Sequence, residues 1–167
     1  VVEHVAALAD QHVAPHAARV DREGAFPREA LSALGTRGFL GLTVPAALGG
    51  MGHGLGVMAP VLDEVARRCA STAMVYLMHL CGVACYAAAP RRAETQLRAA
   101  AEGKHLSTLA FSETGSRSHF WVPISRAVAV NGGVQVSASK SFVTSAGRAD
   151  GYVVSTLAPA ATQPLES

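Results

Sequence analysis

Leu106-Ser-Thr-Leu-Ala-Phe-Ser-Glu-Thr-Gly-Ser-Arg-Ser-His119 and its distant partner Lys140-Ser-Phe-Val-Thr-Ser-Ala-Gly-Arg-Ala-Asp150 stand where two architectures meet. Everything before the first segment has helical period, and everything after it alternates as strand does. The first segment runs from a short apolar strand into a polar loop with Ser112, Glu113, Ser116 and Ser118, which gathers hydroxyls and free backbone amides in one place. In the second, Phe142 and Thr144 alternate with Ser141 and Val143, so an extended backbone would put the ring and the Thr144 hydroxyl on one face.

Outward from that junction, the N-terminal side reads as helices. Val2, Val5, Ala6, Ala9 and Val13 repeat at helical spacing until Pro15 ends or kinks the helix. Pro27 suits the first turn of a second helix carrying Ala30, Leu31 and Leu34, which stops near Gly35 to Gly38. Six glycines among the sixteen residues from Gly41 to Gly56 mark a loop. A further stripe of Val57, Val61, Leu62, Val65 and Cys69 leaves Asp63, Glu64, Arg67 and Arg68 to pair in water. Ser71 and Thr72 are positioned to cap the next helix, Ala73 to about Ala89, which is apolar nearly all round. Pro90 ends it, and a last helix over residues 91–102 closes on Gly103.

Beyond Lys104, Ile124, Arg126, Val128 and Val130 alternate with Ser125, Ala127 and Ala129. Asn131-Gly132 then turns the chain toward Val134 and Val136, an antiparallel hairpin, and residues 151–157 read as another strand. These few strands cannot close a barrel. The expected fold is therefore α+β: an all-α helical domain over residues 1–104, then residues 105–167 as the start of an antiparallel β-barrel that is cut short.

With 50% apolar and 16% charged residues the composition is that of a globular protein, and a net charge of +2 without a basic cluster speaks against nucleic acid. The closest approach to a membrane span, residues 70–89, is interrupted by Ser71, Thr72 and His79 and fits a buried helix. Cys69, Cys81 and Cys85 form no disulfide framework; Cys81 and Cys85 lie one turn apart as metal ligands can, but no second pair completes a tetrahedral set, and buried free thiols are expected. His12 and His16 read as solvated surface, since Pro15 disturbs any facing pair. Gly54-Leu-Gly56-Val-Met-Ala59 fits a dinucleotide turn in letters, but no strand precedes it. Ser137-Ala-Ser-Lys140 fits the penicillin-binding Ser-x-x-Lys, but on strand rather than helix, and Gly103-Lys104 lacks the upstream glycine of a phosphate loop.

The opening pair of segments resembles the acyl-CoA dehydrogenase family. Its Thr-Glu-Pro-x-x-Gly-Ser-Asp motif is approximated by Ser112-Glu113-Thr114-Gly115-Ser116-Arg117-Ser118-His119, and its Lys-x-Trp-x-Thr-Asn motif by Lys140-Ser141-Phe142-Val143-Thr144-Ser145. Val13-Ala-Pro-His16, Phe26-Pro27, Gly38-Phe-Leu-Gly-Leu-Thr-Val-Pro45 and Gly49-Gly50-Met51-Gly52 carry the likeness through the rest of the chain. The resemblance implies a helical domain, a middle β-barrel and a C-terminal helical domain, the last absent here. It implies FAD, held by Leu109, Phe111, Ser112, Ser118, Phe142 and Thr144, with Thr144 near N5. Met74, Val75, Met78 and Ser118 would meet the acyl substrate.

A flavin ring needs a flat apolar wall and hydrogen-bond donors along its edge, which Phe142, Ser112 and Thr144 can supply. The same residues read equally as turn satisfaction and ordinary core. The implied reaction is α,β-dehydrogenation of an acyl-CoA or other acyl thioester, with electrons passed to an electron-transfer flavoprotein, in a cytoplasmic homodimer or homotetramer that binds neither nucleic acid nor membrane. The catalytic base belongs to the C-terminal domain and is assigned to no residue here; Glu113 belongs to the loop's framework. Thr114, Arg117 and His119 replace the family's Pro, Gly and Asp, followed by bulky Phe120 and Trp121, which points to an unusual acyl group or carrier. Two other readings remain: a flavin-dependent monooxygenase or oxidase on the same fold, and a non-catalytic helical interaction module.

Overall fold

The computed structural model describes residues 1–116, 119 and 121–163. Helix α1 (Val2–His12) breaks at Val13, and Pro15 falls in the first turn of α2 (Ala14–Glu23), where its missing N–H has no helical partner to lose. The break leaves His12 and His16 on different helices. Pro27 caps α3 (Arg28–Thr36), which buries Ala30, Leu31 and Leu34. The glycine-rich stretch holds two short 3-10 turns, Phe39–Gly41 and Ala46–Leu48, before α4 (Leu55–Ala66), which runs through Pro60.

Helix α5 (Ala70–Ala88) is the element the rest is packed around. Its cap is Cys69, in extended conformation, whose Sγ accepts the Thr72 N–H at 3.5 Å; Ser71 and Thr72 lie inside the first turn and do not cap it. By length and composition α5 could cross a membrane. Tyr76, His79, Leu80 and Val83 are instead wholly buried against the neighbouring helices and the following strand, the pattern of a core helix. The main core gathers α1, α3 and α4 on one side of α5, including Val5, Leu34, Val61 and Val65. Arg68, just past the end of α4, pairs with Asp10 of α1 at 2.8 Å and also with Glu64, so this cation is less exposed than the water-facing position expected for it. Helix α6 (Glu94–Ala101) starts later than expected, after a turn at 90–93, and Gly103 ends it in the left-handed conformation.

Strand β1 (Ser107–Ala110) lies on α5, and Gly82 permits that approach: a Cβ there would stand 2.5 Å from Ser107 Oγ. The hairpin of β2 (Val128–Val130) and β3 (Gly133–Gln135) turns at residues 131–132 in antiparallel register, Ala129 opposite Val134. β1 pairs in parallel with β4 (Gly151–Val154), Ser107 opposite Gly151, where only antiparallel pairing was expected. Val128 and Val130 lie on one face of the hairpin and Val134 on the other, and all three, with Val136 just beyond β3, are exposed among the described residues.

Candidate functional site

The two segments that open the sequence analysis meet, and a buried ion pair joins them. Lys140 Nζ lies 3.2 Å from Glu113 Oε1, with side chains only 8% and 5% exposed, and the two residues form an antiparallel bridge. Lys140 Nζ also donates to the carbonyls of Ser155 (2.6 Å) and Phe111 (3.3 Å). The second Glu113 oxygen accepts the N–H groups of Ile124 and Ser125. Burial pushes the Glu113 carboxyl up, but the bonds from Ser125 and Ile124 and the Lys140 ammonium outweigh it and hold the group at about 2. A carboxylate that acidic, with both oxygens engaged, cannot serve as a base near neutral pH. What Glu113 does in this fold is tie its loop to Lys140, Ile124 and Ser125.

Around this pair further hydrogen bonds tie the segments carrying Phe111, Ser112, Phe142 and Thr144 to one another and to β1. Ser141 N donates to Ser112 O at 2.9 Å. Thr108 Oγ1, wholly buried on β1, donates to Thr144 O at 2.7 Å and holds that residue beside the strand carrying Leu109. Leu106 N donates to Asp150 Oδ2 at 2.8 Å, closing the second segment onto the start of β1.

Residues 141–150 are turn, however, and not the strand on which Phe142 and Thr144 would share a face. Phe142 and Ser145 both have positive φ, 53° and 63°, a region non-glycine side chains adopt at a cost of order 1 kcal/mol. The loop is pinned at Lys140, Thr144 and Asp150, and the residues between must take whatever dihedrals span those anchors. The result for Phe142 is 96% exposure, so the core role weighed for it does not hold. Ser145 Oγ is buried without a hydrogen-bond partner. An exposed aromatic ring, a buried hydroxyl without a partner and half-buried Ser112 and Thr144 thus lie on two segments that the Ser141–Ser112 and Thr108–Thr144 hydrogen bonds hold together. Ser118 lies outside the described residues, as do Arg117 and Phe120; His119 stacks on Trp121 at 5.2 Å between ring centres.

On the inferred acyl side, Met74 and Met78 share the outward face of α5, Met74 being 50% exposed, whereas Val75 belongs to the core and does not share that face. A cavity of about 660 Å³ is elsewhere, between α1 and α3, lined by Leu8, His12, Ala33, Arg37, Phe39 and Met51 among others. Among the described residues no three His, Cys, Asp or Glu side chains are grouped as a metal site.

The junction rests on a residue that sequence reasoning passed over as an interruption. His79, buried on α5, has Nε2 2.8 Å from Leu40 O, and its Nδ1 accepts the Ser107 N–H at 3.1 Å. A backbone N–H can only donate and a carbonyl only accept, so the ring is neutral with its proton on Nε2. Burial draws its pKa down to about 4 against the opposing effect of the Leu40 carbonyl. A single imidazole in an otherwise apolar helix was the available signal: a buried polar side chain is held by partners, and those partners place β1.

Comparison with known proteins agrees with this geometry. The description of the acyl-CoA dehydrogenase N-terminal domain matches residues 1–103. Cyclohex-1-ene-1-carbonyl-CoA dehydrogenase of Geobacter metallireducens is 31% identical over 150 residues, 88% of this chain and 40% of that protein. Butyryl-CoA dehydrogenase from Megasphaera elsdenii shares the fold with a TM-score of 0.82 at 20% identity, over 93% of this chain and 43% of that one. KijD3 in complex with FMN and dTDP-3-amino-2,3,6-trideoxy-4-keto-3-methyl-D-glucose superposes with a TM-score of 0.80 at 27% identity, over 98% and 41%. The chain therefore spans about two fifths of the length of the relatives it matches.

Proposed function

Since the chain belongs to the acyl-CoA dehydrogenase family, we propose that it is the N-terminal part of an FAD-dependent oxidoreductase that dehydrogenates an acyl thioester between Cα and Cβ. Residues 1–104 supply the helical domain and 105–167 the beginning of the β domain. The observation that supports the reading is the junction made by Glu113 and Lys140, which joins the segment carrying Ser112 to the one carrying Thr144 and an exposed Phe142. Dispersal of those residues would have supported the interaction-module alternative.

The residues fit the flavin. Phe142 offers an aromatic wall left exposed among the described residues, and Ser145 Oγ offers a donor that lacks a partner among them. Ser112, Thr144 and neighbouring amides bind the polar edge, and Leu109, Phe111 and Ser118 complete the cofactor's surroundings. FAD, when bound, supplies the hydride acceptor. The chain's own work is positional: Lys140 and Glu113 keep the two segments in register, Thr108 fixes Thr144, and Met74 and Met78 present flexible thioethers to an aliphatic chain. The base that removes the α-proton is not Glu113. An electron-transfer flavoprotein is the electron acceptor and the assembly a homodimer or homotetramer, in keeping with the valines left exposed on both faces of the β2–β3 hairpin.

One observation favours a second reading. The likeness to KijD3, whose complex holds FMN and a nucleotide-linked sugar, allows a monooxygenase or oxidase with a substrate other than a CoA thioester. An absorbance spectrum of the flavin-loaded product of the full reading frame, taken without oxygen before and after a mixture of acyl-CoA thioesters, separates the two. Dehydrogenation bleaches the oxidised band; a band that persists overturns the first reading in favour of the second.

A further inference from the structure

Helix α5 carries four sulfur side chains in one line. Met74, Met78, Cys81 and Cys85 lie at i, i+4, i+7 and i+11, within about 60° of one another at 3.6 residues per turn. Tyr76, His79, Leu80 and Val83 turn to the core, but the sulfur line stays outside it: Met74 is exposed and Met78, Cys81 and Cys85 are half-buried. Cys81 and Cys85 are free thiols and were expected to be buried ones; Cys69 alone is buried.

The spacing decides what these thiols can do together. Residues four apart on a helix have Cβ atoms about 5–6 Å apart. A disulfide needs about 3.8 Å between Cβ atoms, so oxidation would have to unwind α5. A metal between two thiolates, at bonds of about 2.3 Å, spans a wider gap without disturbing the helix. Because side chains lean toward the helix N-terminus, Cys85 Sγ is directed over the turn carrying Cys81, and Cys81 Sγ over the turn carrying Met78. Among the described residues no third His, Cys, Asp or Glu completes a four-ligand site, which disfavours Zn²⁺. Soft thiolates with an adjacent thioether suit a monovalent cation of low coordination number.

We propose that Cys81 and Cys85 form a thiolate site for a soft monovalent metal ion of the Cu(I) type, with the Met78 thioether as third donor. Binding replaces two S–H protons, which pass to solvent, by two metal–sulfur bonds, and no electron moves. The site does not depend on the dehydrogenase reading, because it is defined on the substrate-free protein.

The test is withdrawal of Cu(I) from its coloured bathocuproine disulfonate chelate, without oxygen, read as loss of the dye's absorbance. One Cu(I) per chain is expected, lost in both Cys81→Ser and Cys85→Ser, weakened in Met78→Leu and kept in Cys69→Ser. Peptide mapping after alkylation gives a second readout on the unaltered protein: bound Cu(I) shields Cys81 and Cys85 from iodoacetamide. Absence of uptake, uptake that survives either Cys81→Ser or Cys85→Ser, or alkylation of both thiols in the metal-loaded protein would overturn the site. Unchanged affinity in Met78→Leu would remove the third donor.

Discussion

Protonating His79 sets the imidazole against the contact that holds β1 on α5. In the neutral ring Nδ1 accepts the Ser107 N–H at 3.1 Å; in the imidazolium that nitrogen carries a hydrogen and faces another donor. The ring is wholly buried, and its pKa falls from 6.5 to about 4 on folding. Unfolded chains therefore take up this proton first as pH falls. The stabilisation is intact above about 6.5, declines on acidification from there to about 4, and stops changing below that because both states are then protonated. At 1.36 kcal/mol for each tenfold difference in proton affinity, the loss across that window is about 3 kcal/mol. Urea denaturation followed by far-ultraviolet circular dichroism at several pH values, on the protein and on His79→Gln, isolates the effect, since other titrations occur in both. The substitution is expected to cost about 2–4 kcal/mol at pH 7, from two altered buried hydrogen bonds, and about 3 kcal/mol less at pH 4. A cost that stays constant between pH 7 and pH 4 would refute the assignment of a neutral, buried, hydrogen-bonded imidazole.

Three further outcomes are expected. Glu113→Ala leaves the Lys140 ammonium buried and unpaired, and the urea midpoint should report a loss of about 3–5 kcal/mol. Because folding depresses this carboxyl, its contribution is present above about 4.5 and lost as pH falls toward 2, an acid limb at lower pH than that of His79. Gly82→Ala puts a Cβ 2.5 Å from Ser107 Oγ and 2.8 Å from Ser107 Cβ, so α5 and β1 must part at a cost of about 1–3 kcal/mol, visible as a lower Tm in calorimetry. Phe142→Gly removes an exposed ring from a left-handed position and should leave stability unchanged or raise it by up to about 1 kcal/mol, while flavin fluorescence titration shows weaker binding. Undiminished flavin affinity in that variant would sink the aromatic-wall role.

The local grammar of the chain was open to reading from the sequence alone. The break between α1 and α2 just before Pro15, the left-handed stop at Gly103 and the hairpin turn at residues 131–132 each depend on one or two residues whose backbone chemistry permits few alternatives. The meeting of the Ser112 and Lys140 segments was legible as well, through the resemblance of both to motifs of one family. Tertiary structure alone decided how they meet. Lys140 and Glu113 lie 27 residues apart in sequence, and their buried pair, with the Thr108 and Asp150 anchors, forces residues 141–150 out of the alternating pattern and turns Phe142 to solvent. The parallel β1–β4 pairing and the part played by His79 escaped for the same reason. Periodicity records which side of an element is apolar; which distant donor meets which acceptor depends on where folding brings them, and a buried polar group without its partner costs enough to override local preference.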